Sequence, residues 1–269
     1  MTLTLPPEQL KSLQASDSGA YQPIWSVFIK DDDIQVERPY TPLYGIDNEG
    51  RMSFWVKKYP KGEVGRWLHG KTEGDRIEIR GPITTWPWQD GMWDEVVMIS
   101  GGTGITPFVQ LWSTIISSPD HSPNTRFTLL HSSPSSDELP PAEVLSPLLA
   151  YAAERPERLK VQFFVDQDAK ALPSLPPSAT PAVGRINRAA LEKVLYPNGT
   201  GSSWWRRLFS TSTTSQEQQN SQRRVLFLVC GPEPMIGALA GPYGRNFSQG
   251  PVGGVLKELG YDSTQVYKL

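Results

Sequence analysis

Three short stretches of this 269-residue chain combine residue types that grip phosphate or flat rings. In Val96-Val-Met-Ile-Ser-Gly-Gly-Thr-Gly-Ile-Thr-Pro107 an apolar strand runs into a glycine-rich turn and then a helix with Pro in its first turn. Gly101, Gly102 and Gly104 let backbone approach a ligand closely, and the helix start presents unpaired N–H groups and a positive dipole end. That geometry suits a pyrophosphate. The loop is not Gly-x-Gly-x-x-Gly and lacks the Lys of a triphosphatase loop, and a tight turn built for packing alone would use the same glycines. Val225-Leu-Phe-Leu-Val-Cys-Gly-Pro-Glu-Pro-Met235 is a second buried-type strand, ending at Gly-Pro. Ligands of open parallel sheets bind outside the carboxyl ends of the strands, so two such ends can flank one dinucleotide. Cys230 at that edge has the chemistry of a nucleophile but no obvious His partner in sequence, and a small, half-buried packing residue is the plainer reading. In Val36-Glu-Arg-Pro-Tyr-Thr-Pro42, strand alternation puts Arg38 and Tyr40 on one face and Pro39 and Thr41 on the other. Arg38 can bind phosphate and Tyr40 can cover a flat ring; alone, the stretch reads as an edge strand with a surface Arg.

Composition removes other chemistries. Twenty-six Lys and Arg against 28 Asp and Glu give a net charge of −2, with no global positive field to hold a phosphate backbone, so no nucleic-acid partner is expected. One Cys excludes an internal disulfide, and three His (His69, His121, His131) form no cluster with zinc spacing, so no metal site is expected. No apolar run reaches the roughly 18 residues of a membrane span. The start, Met1-Thr-Leu-Thr-Leu-Pro-Pro-Glu8, lacks a basic or Arg-rich leader, so the chain reads as soluble and untargeted as written.

The elements that must position these stretches follow two periodicities. Between residues 24 and 82 short strands alternate with turns, at 24–30, 34–43, 52–59 and 76–80, as in a small antiparallel sheet or barrel. Thr84-Thr-Trp-Pro-Trp-Gln-Asp-Gly-Met-Trp93 is too rich in Pro, Gly and Trp for a regular element and marks a boundary, giving domains 1–88 and 94–269. Beyond it, apolar strands at 96–100, 127–131, 161–165 and 225–230 alternate with helices at 107–117, 139–155, 187–195 and 252–259, the last capped by Gly260. That is the pattern of a parallel sheet covered on both faces. Residues 199–224 are polar, low in complexity and expected to be a disordered insertion. Inside it, Trp204-Trp-Arg-Arg-Leu-Phe209 suits a membrane interface or docking surface, though packing back on its own domain is the plainer expectation.

Arg38-Pro-Tyr-Thr, Gly74-Asp-x4-Arg80-Gly-Pro82, Gly101-Gly-Thr-Gly-Ile-Thr-Pro107 and Cys230-Gly-Pro-x-Pro-Met235, in this order, resemble the cytochrome b5 reductase branch of the ferredoxin–NADP reductase-like flavoenzymes. The resemblance implies an antiparallel FAD-binding barrel followed by a five-stranded parallel NAD(P)-binding domain. It implies that Arg38 binds the FAD pyrophosphate, that Tyr40 packs on the isoalloxazine and ribityl, and that Thr41 hydrogen-bonds near flavin N5. Val56, Lys57 and Tyr59 would lie beside the flavin and adenine parts. Glu63, Val64 and Gly65 would hold the pyrophosphate through backbone N–H groups, with Gly65 where a Ser is usual. Thr106 would face the flavin, while Gly101, Gly102, Thr103 and Gly104, with Cys230, Gly231, Pro232 and Met235, would line the nicotinamide dinucleotide. Thr41, Thr106 and Cys230 would be the catalytic positions. The implied reaction is hydride transfer from NADH to FAD and single-electron release to a haem protein such as a cytochrome; a weakly flavinated haem-assembly or docking protein is the alternative. Tyr40-Thr-Pro-Leu43, Gly62-Glu-Val-Gly-Arg-Trp-Leu-His69 and the ending Gln265-Val-Tyr-Lys-Leu269 look closest to fungal mitochondrial members, including the flavoprotein implicated in cytochrome c import and haem attachment.

Two further expectations follow. His131-Ser-Ser-Pro-Ser-Ser-Asp-Glu-Leu139 contains no Lys or Arg to meet a 2′-phosphate, which favours NADH over NADPH. Family barrels carry two further strands before the pair that ends in Arg-x-Tyr-Thr, yet only about twenty residues, Met1 to Ala20, precede Ile24. The barrel is therefore expected to be incomplete, to bind FAD poorly, and to belong to a longer form that has the missing strands, with or without a membrane anchor.

Overall fold

A computed structural model describes residues 1–15, 23–167, 169–170, 176, 179–196 and 223–269. Contacts gather the chain into two compact units: Met1–Gln89 with Thr103–His121 and Leu269, and Asp90–Gly102 with Ser122–Lys268.

In the first unit, β1 (Thr2–Thr4) pairs antiparallel with β4 (Arg51–Ser53), and β2 (Ile24–Lys30) lies between β3 (Glu37–Tyr40) and β5 (Glu78–Trp86), antiparallel to both. Along β2 the pleat sends Trp25, Val27 and Ile29 inward and leaves Ser26, Phe28 and Lys30 half-buried on the other face. Trp25, Val27 and Ile29 meet Leu5, Met52, Phe54, Val64 and Leu68 in one core. Three short helices complete the unit: α1 (Pro7–Ala15), α2 (Glu63–Leu68) and α3 (Thr106–Leu111), the last continued by a π turn over Trp112–Ile116.

Several expectations are corrected here. The strand expected at 34–43 is confined to Glu37–Tyr40, because Asp31 Oδ1 accepts from the Asp33 and Ile34 amides (2.9 and 3.3 Å) and folds that corner into a turn. Pro42 then offers no N–H to prolong the ladder. The strand expected at 52–59 is likewise short, Arg51–Ser53. Thr84, Thr85 and Trp86, expected outside regular structure, continue β5, because pairing of Thr84 with Trp25 and Trp86 with Ile24 outweighs local composition. Residues 1–20 do supply a strand: the Met1 amino group donates to the Phe54 carbonyl at 3.0 Å, and Leu5 N–H donates to the Gly50 carbonyl at 2.9 Å. Beside it, a cleft of about 1300 Å³ opens between residues 1–9 and 68–79.

The second unit holds a sheet of β6 (Glu95–Gly101), β7 (Arg126–Ser133), β8 (Leu159–Val165), β9 (Ala182–Val183), β10 (Val225–Cys230) and β11 (Val266–Lys268). Its order is β11-β10-β6-β7-β8-β9 and every pairing is parallel. The sheet has six strands rather than the five implied by resemblance; β9 and β11 are too short to stand out in the sequence. Val97, Ile99, Phe227 and Val229 face α5 (Arg188–Leu195), α6 (Glu233–Ala240) and α7 (Gly254–Glu258) in one core. Val96, Met98, Leu226 and Leu228 alternate with them and are equally buried, and α4 (Ala142–Glu154) packs on β8. The helix α6 went unforeseen because Glu-Pro-Met-Ile-Gly-Ala-Leu-Ala carries Pro and Gly and has no polar stripe. Asn187 Oδ1 caps α5 by accepting from Ala190 N–H at 3.0 Å, and Gly260 follows α7 at φ 92°. Of the stretch 199–224, Arg223 and Arg224 lead into β10; the rest, with Trp204 to Phe209, lies outside the described residues.

Candidate functional site

The second unit reverses direction at β6. From β6 the chain builds β7, β8 and β9 on one side, then places β10 and β11 on the other, so the crevice outside the carboxyl ends of β6 and β10 is the topological switch point. There Ser100 is opposite Cys230 in register. A Cβ on Gly101 would stand 2.8 Å from Met235 Sδ and 2.9 Å from Pro232 Cδ; one on Gly231 would stand 2.6 Å from Met235 Cε and 2.9 Å from Gly101 N. Only glycine lets the two turns nest. Gly102 follows at φ 54°, in the left-handed region, and opens a tight turn over Gly102–Ile105 that leads into α3. Thr106, buried, donates its hydroxyl proton to the Thr103 carbonyl at 3.0 Å. Gly101, Cys230, Gly231, Pro232 and Met235 therefore share one cradle.

Cys230 is half-buried at the cradle, and desolvation pushes its thiol up to about 12, which keeps it protonated at neutral pH. The Tyr243 phenol is pushed to about 12 as well, by burial first and then by the neighbouring Cys230, Glu233 and Tyr267 groups. Behind the cradle, Ser100 Oγ lies 2.8 Å from Nδ1 of the fully buried His131, whose Nε2 lies 3.2 Å from Ser133 Oγ. This clamp between β6 and β7 was invisible in sequence, where His131 is only a histidine without a metal partner. Past β7, the Lys170 N–H donates to Ser136 Oγ at 3.0 Å, bringing the backbone of an exposed lysine to the loop that sequence shows as free of cations.

In the first unit, Arg38 is opposite Ile29 and Tyr40 opposite Val27, which puts both on the core side of the sheet, as alternation predicts. Tyr40 and Val56 pack on the same core, and burial raises the Tyr40 phenol despite the nearby Arg38 charge. At the strand edge Arg38 is exposed; Nη1 donates to the Glu37 carbonyl at 2.8 Å, and no carboxylate pairs with it among the described residues. Thr41 takes the opposite face, with its hydroxyl 3.1 Å from Ser26 Oγ. Lys57 Nζ stands 5.6 Å from the centre of the exposed Tyr59 ring. Val64 is buried in the core and Glu63 is exposed in the first turn of α2. A Cβ on Gly65 would stand 3.1 Å from the Lys57 carbonyl, so glycine here follows from the close approach of α2 to that backbone. Ser26 and the fully buried Gln110, whose Oε1 accepts from Trp25 N–H at 2.8 Å, complete this region. A lone serine in an apolar strand and a glutamine in a short helix carry no sequence signal.

Residues 24–88 match the family model for the oxidoreductase FAD-binding domain, and residues 98–240 the one for the oxidoreductase NAD-binding domain. NADH-cytochrome b5 reductase 2 of Candida albicans is 30% identical over 244 residues, spanning 90% of this chain and 69% of that protein. The chain belongs to the cytochrome b5 reductase family. The Mycosarcoma maydis NADH-cytochrome b5 reductase 2 is 31% identical over 241 residues, 89% of this chain but only 59% of its own length. Among solved structures, the cytochrome b5 reductase domain of Ulva prolifera nitrate reductase shares the fold at a TM-score of 0.63 and 20% identity, covering 93% of this chain and 86% of that one. The CS-b5R domains of human Ncb5or, in an NAD+ form, share it at 0.62 and 18%, covering 91% of this chain and 59% of that one.

The residues present fit the two groups such a family binds. The nested glycines leave a backbone cradle at the switch point, which a dinucleotide needs. Among the described residues Arg38 keeps an exposed charge with no carboxylate against it, and Gln110 Nε2 is buried without an acceptor, as a donor awaiting a water or ligand oxygen is.

Proposed function

We propose that this chain is a flavin-dependent NADH oxidoreductase of cytochrome b5 reductase type, passing electrons to a haem protein of the cytochrome b5 kind. The observation that carries the reading is the tandem of an FAD-binding and an NAD-binding domain, the second with a glycine-lined cradle at its switch point. FAD, when bound, supplies the chemistry, accepting hydride from NADH and releasing electrons singly. The chain's own residues bind and orient. Arg38 and the backbone of Glu63, Val64 and Gly65 hold pyrophosphate; Tyr40, Val56, Lys57 and Tyr59 flank the ring and adenine; Thr41 and Thr106 offer hydroxyls to the flavin. Gly101, Gly102, Thr103 and Gly104, with Cys230, Gly231, Pro232 and Met235, take the nicotinamide dinucleotide. Residues 1–88 form the flavin part and 94–269 the dinucleotide part.

Three finer proposals accompany this one. The absence of Lys and Arg from residues 131–139 supports NADH over NADPH. The wording of residues 40–43 and 265–269 supports a mitochondrial location, testable by organelle fractionation. The aromatic and cationic makeup of Trp204 to Phe209 supports membrane contact.

The deciding experiment is anaerobic addition of NADH to the FAD-loaded protein, followed by cytochrome b5. Bleaching of the visible flavin band on NADH, and its return with haem reduction, is the expected result. Protein that cannot be loaded with FAD would overturn the proposal and support the haem-assembly alternative. Equal reduction rates at low NADH and low NADPH would overturn the nucleotide preference alone.

A further inference from the structure

Thr41 is the hydroxyl that the proposed function sets against the flavin, and a threonine hydroxyl rotates unless something holds it. Here a row of hydroxyls holds it. Ser26 Oγ lies 3.1 Å from Thr41 Oγ1 and 3.5 Å from Thr85 Oγ1, so side chains following β3, within β2 and within β5 stand side by side on the sheet face away from the apolar core. The strand that carries Ser26 is itself pinned at this point. Trp25 N–H donates to Gln110 Oε1 at 2.8 Å, and Gln110 lies one turn beyond Thr106 on α3. The ladder between β2 and β5 also shifts register on both sides of Trp25 and Ser26, the kind of irregularity that re-aims a side chain.

We propose that Ser26 is a positioning residue for the flavin reaction. Either oxygen of each pair can donate; in the sense that runs toward the flavin, Thr85 donates to Ser26 and Ser26, having accepted that bond, donates to Thr41, so the Thr41 O–H is left pointing outward as a donor. A chain of this kind polarises along its length, which strengthens its last donor. The proposal rests on the reading of Thr41 given above and adds the residue that orients it.

The test uses the FAD-loaded protein and four variants: Ser26→Ala, Thr41→Val, their double, and Ser26→Thr. Melting temperature, FAD content, the oxidised flavin spectrum and anaerobic reduction by NADH are read for each. Ser26→Ala is expected to keep its FAD and melting temperature, to shift the flavin spectrum in the same direction as Thr41→Val, and to slow reduction about three- to tenfold, the range of one lost hydrogen bond. In the Thr41→Val background it should change nothing further, and Ser26→Thr should restore spectrum and rate. Equal slowing in both backgrounds, or no change in spectrum and rate, overturns the proposal. Should Ser26→Ala lower the melting temperature, Thr85→Val breaks the row from its far end and carries the same expectations. If Thr41→Val binds FAD with spectrum and rate unaltered, the role of Thr41 falls and this inference with it, while NADH-to-FAD activity stands. Failure of the unmodified chain to take up FAD would instead mark the failure of the proposed function.

Discussion

Arg38 and Arg80 both lie beside Glu37, and their surroundings separate their roles. Arg80 Nη2 is 2.7 Å from Glu37 Oε2 and its guanidinium is 4.5 Å from the centre of the Phe28 ring, so its charge is already met. Arg38 donates to a neutral carbonyl and meets no carboxylate among the described residues. Arg38→Ala is therefore expected to weaken FAD binding by about one to two decades, the worth of a charged hydrogen bond, in a titration of the flavin-free protein. Unchanged affinity would mean that this strand does not hold the pyrophosphate. Cys230 gives a second expectation with a definite sign. A thiol raised to about 12 by burial gains its reactive charged form only near that pH, so Cys230 should resist alkylation by iodoacetamide across pH 7–9 while free cysteine reacts progressively faster. Rapid labelling of the folded protein at pH 8 would contradict the burial. At this scale sequence singles out Arg38, Tyr40, Thr41 and the glycines as candidates, because a cation or glycine in a short local pattern stands out by itself. It could not show Ser26, Gln110 or the Ser100–His131–Ser133 clamp, whose partners lie 15 to 85 residues away, or even two residues off with the strand partner 31 away.

Elements differ in legibility for a related reason. The parallel sheet was readable because strands buried on both faces are apolar without interruption, and β6 and β10 are such runs. Three-residue strands offer no period to read. β1 is the instructive case: Thr-Leu-Thr is too short for its alternation to mark a strand, yet Leu3 is opposite Met52, and Leu5 enters the core at 8% exposure beside Met52 and Phe54. Tertiary pairing makes the strand. Leu5→Ala should then cost about 2–3 kcal/mol, the usual range for a leucine cut back in a core that collapses in part. Urea unfolding monitored by tryptophan fluorescence would show it as a lower midpoint. A midpoint equal to that of the unaltered protein would mean that the first residues do not contribute to the core of this unit.

The stretch between α5 and β10 is described at its two ends though not in its interior. Arg223 donates from Nη2 to the Leu195 carbonyl at 3.2 Å and forms an ion pair with buried Glu95. Arg224 meets Asp94 through its backbone N–H at 2.8 Å and Nη2 at 2.9 Å, which holds the Asp94 carboxyl below the usual carboxylate range. Tyr196, the last described residue before the stretch, shares a side-chain hydrogen bond with Tyr261. Both ends are thus fastened near the amino ends of β6 and β10, whereas the glycine cradle lies at their carboxyl ends. Six or seven residues of strand separate the two, roughly 20 Å at the rise of a β-strand. The fastened ends also stand close enough for a short bridge. Replacing residues 199–222 with a six-residue Gly-Ser linker should therefore leave the melting temperature within about 3 °C, since loop closure changes slowly with length. FAD content and the rate of flavin reduction by NADH should stay as they were. If Trp204 to Phe209 supply membrane contact, the full chain should co-sediment with vesicles of anionic phospholipid and the same variant should not. A variant that binds vesicles as before would remove that contact from these residues, and one that loses flavin reduction would place part of the stretch at the cradle end of the sheet.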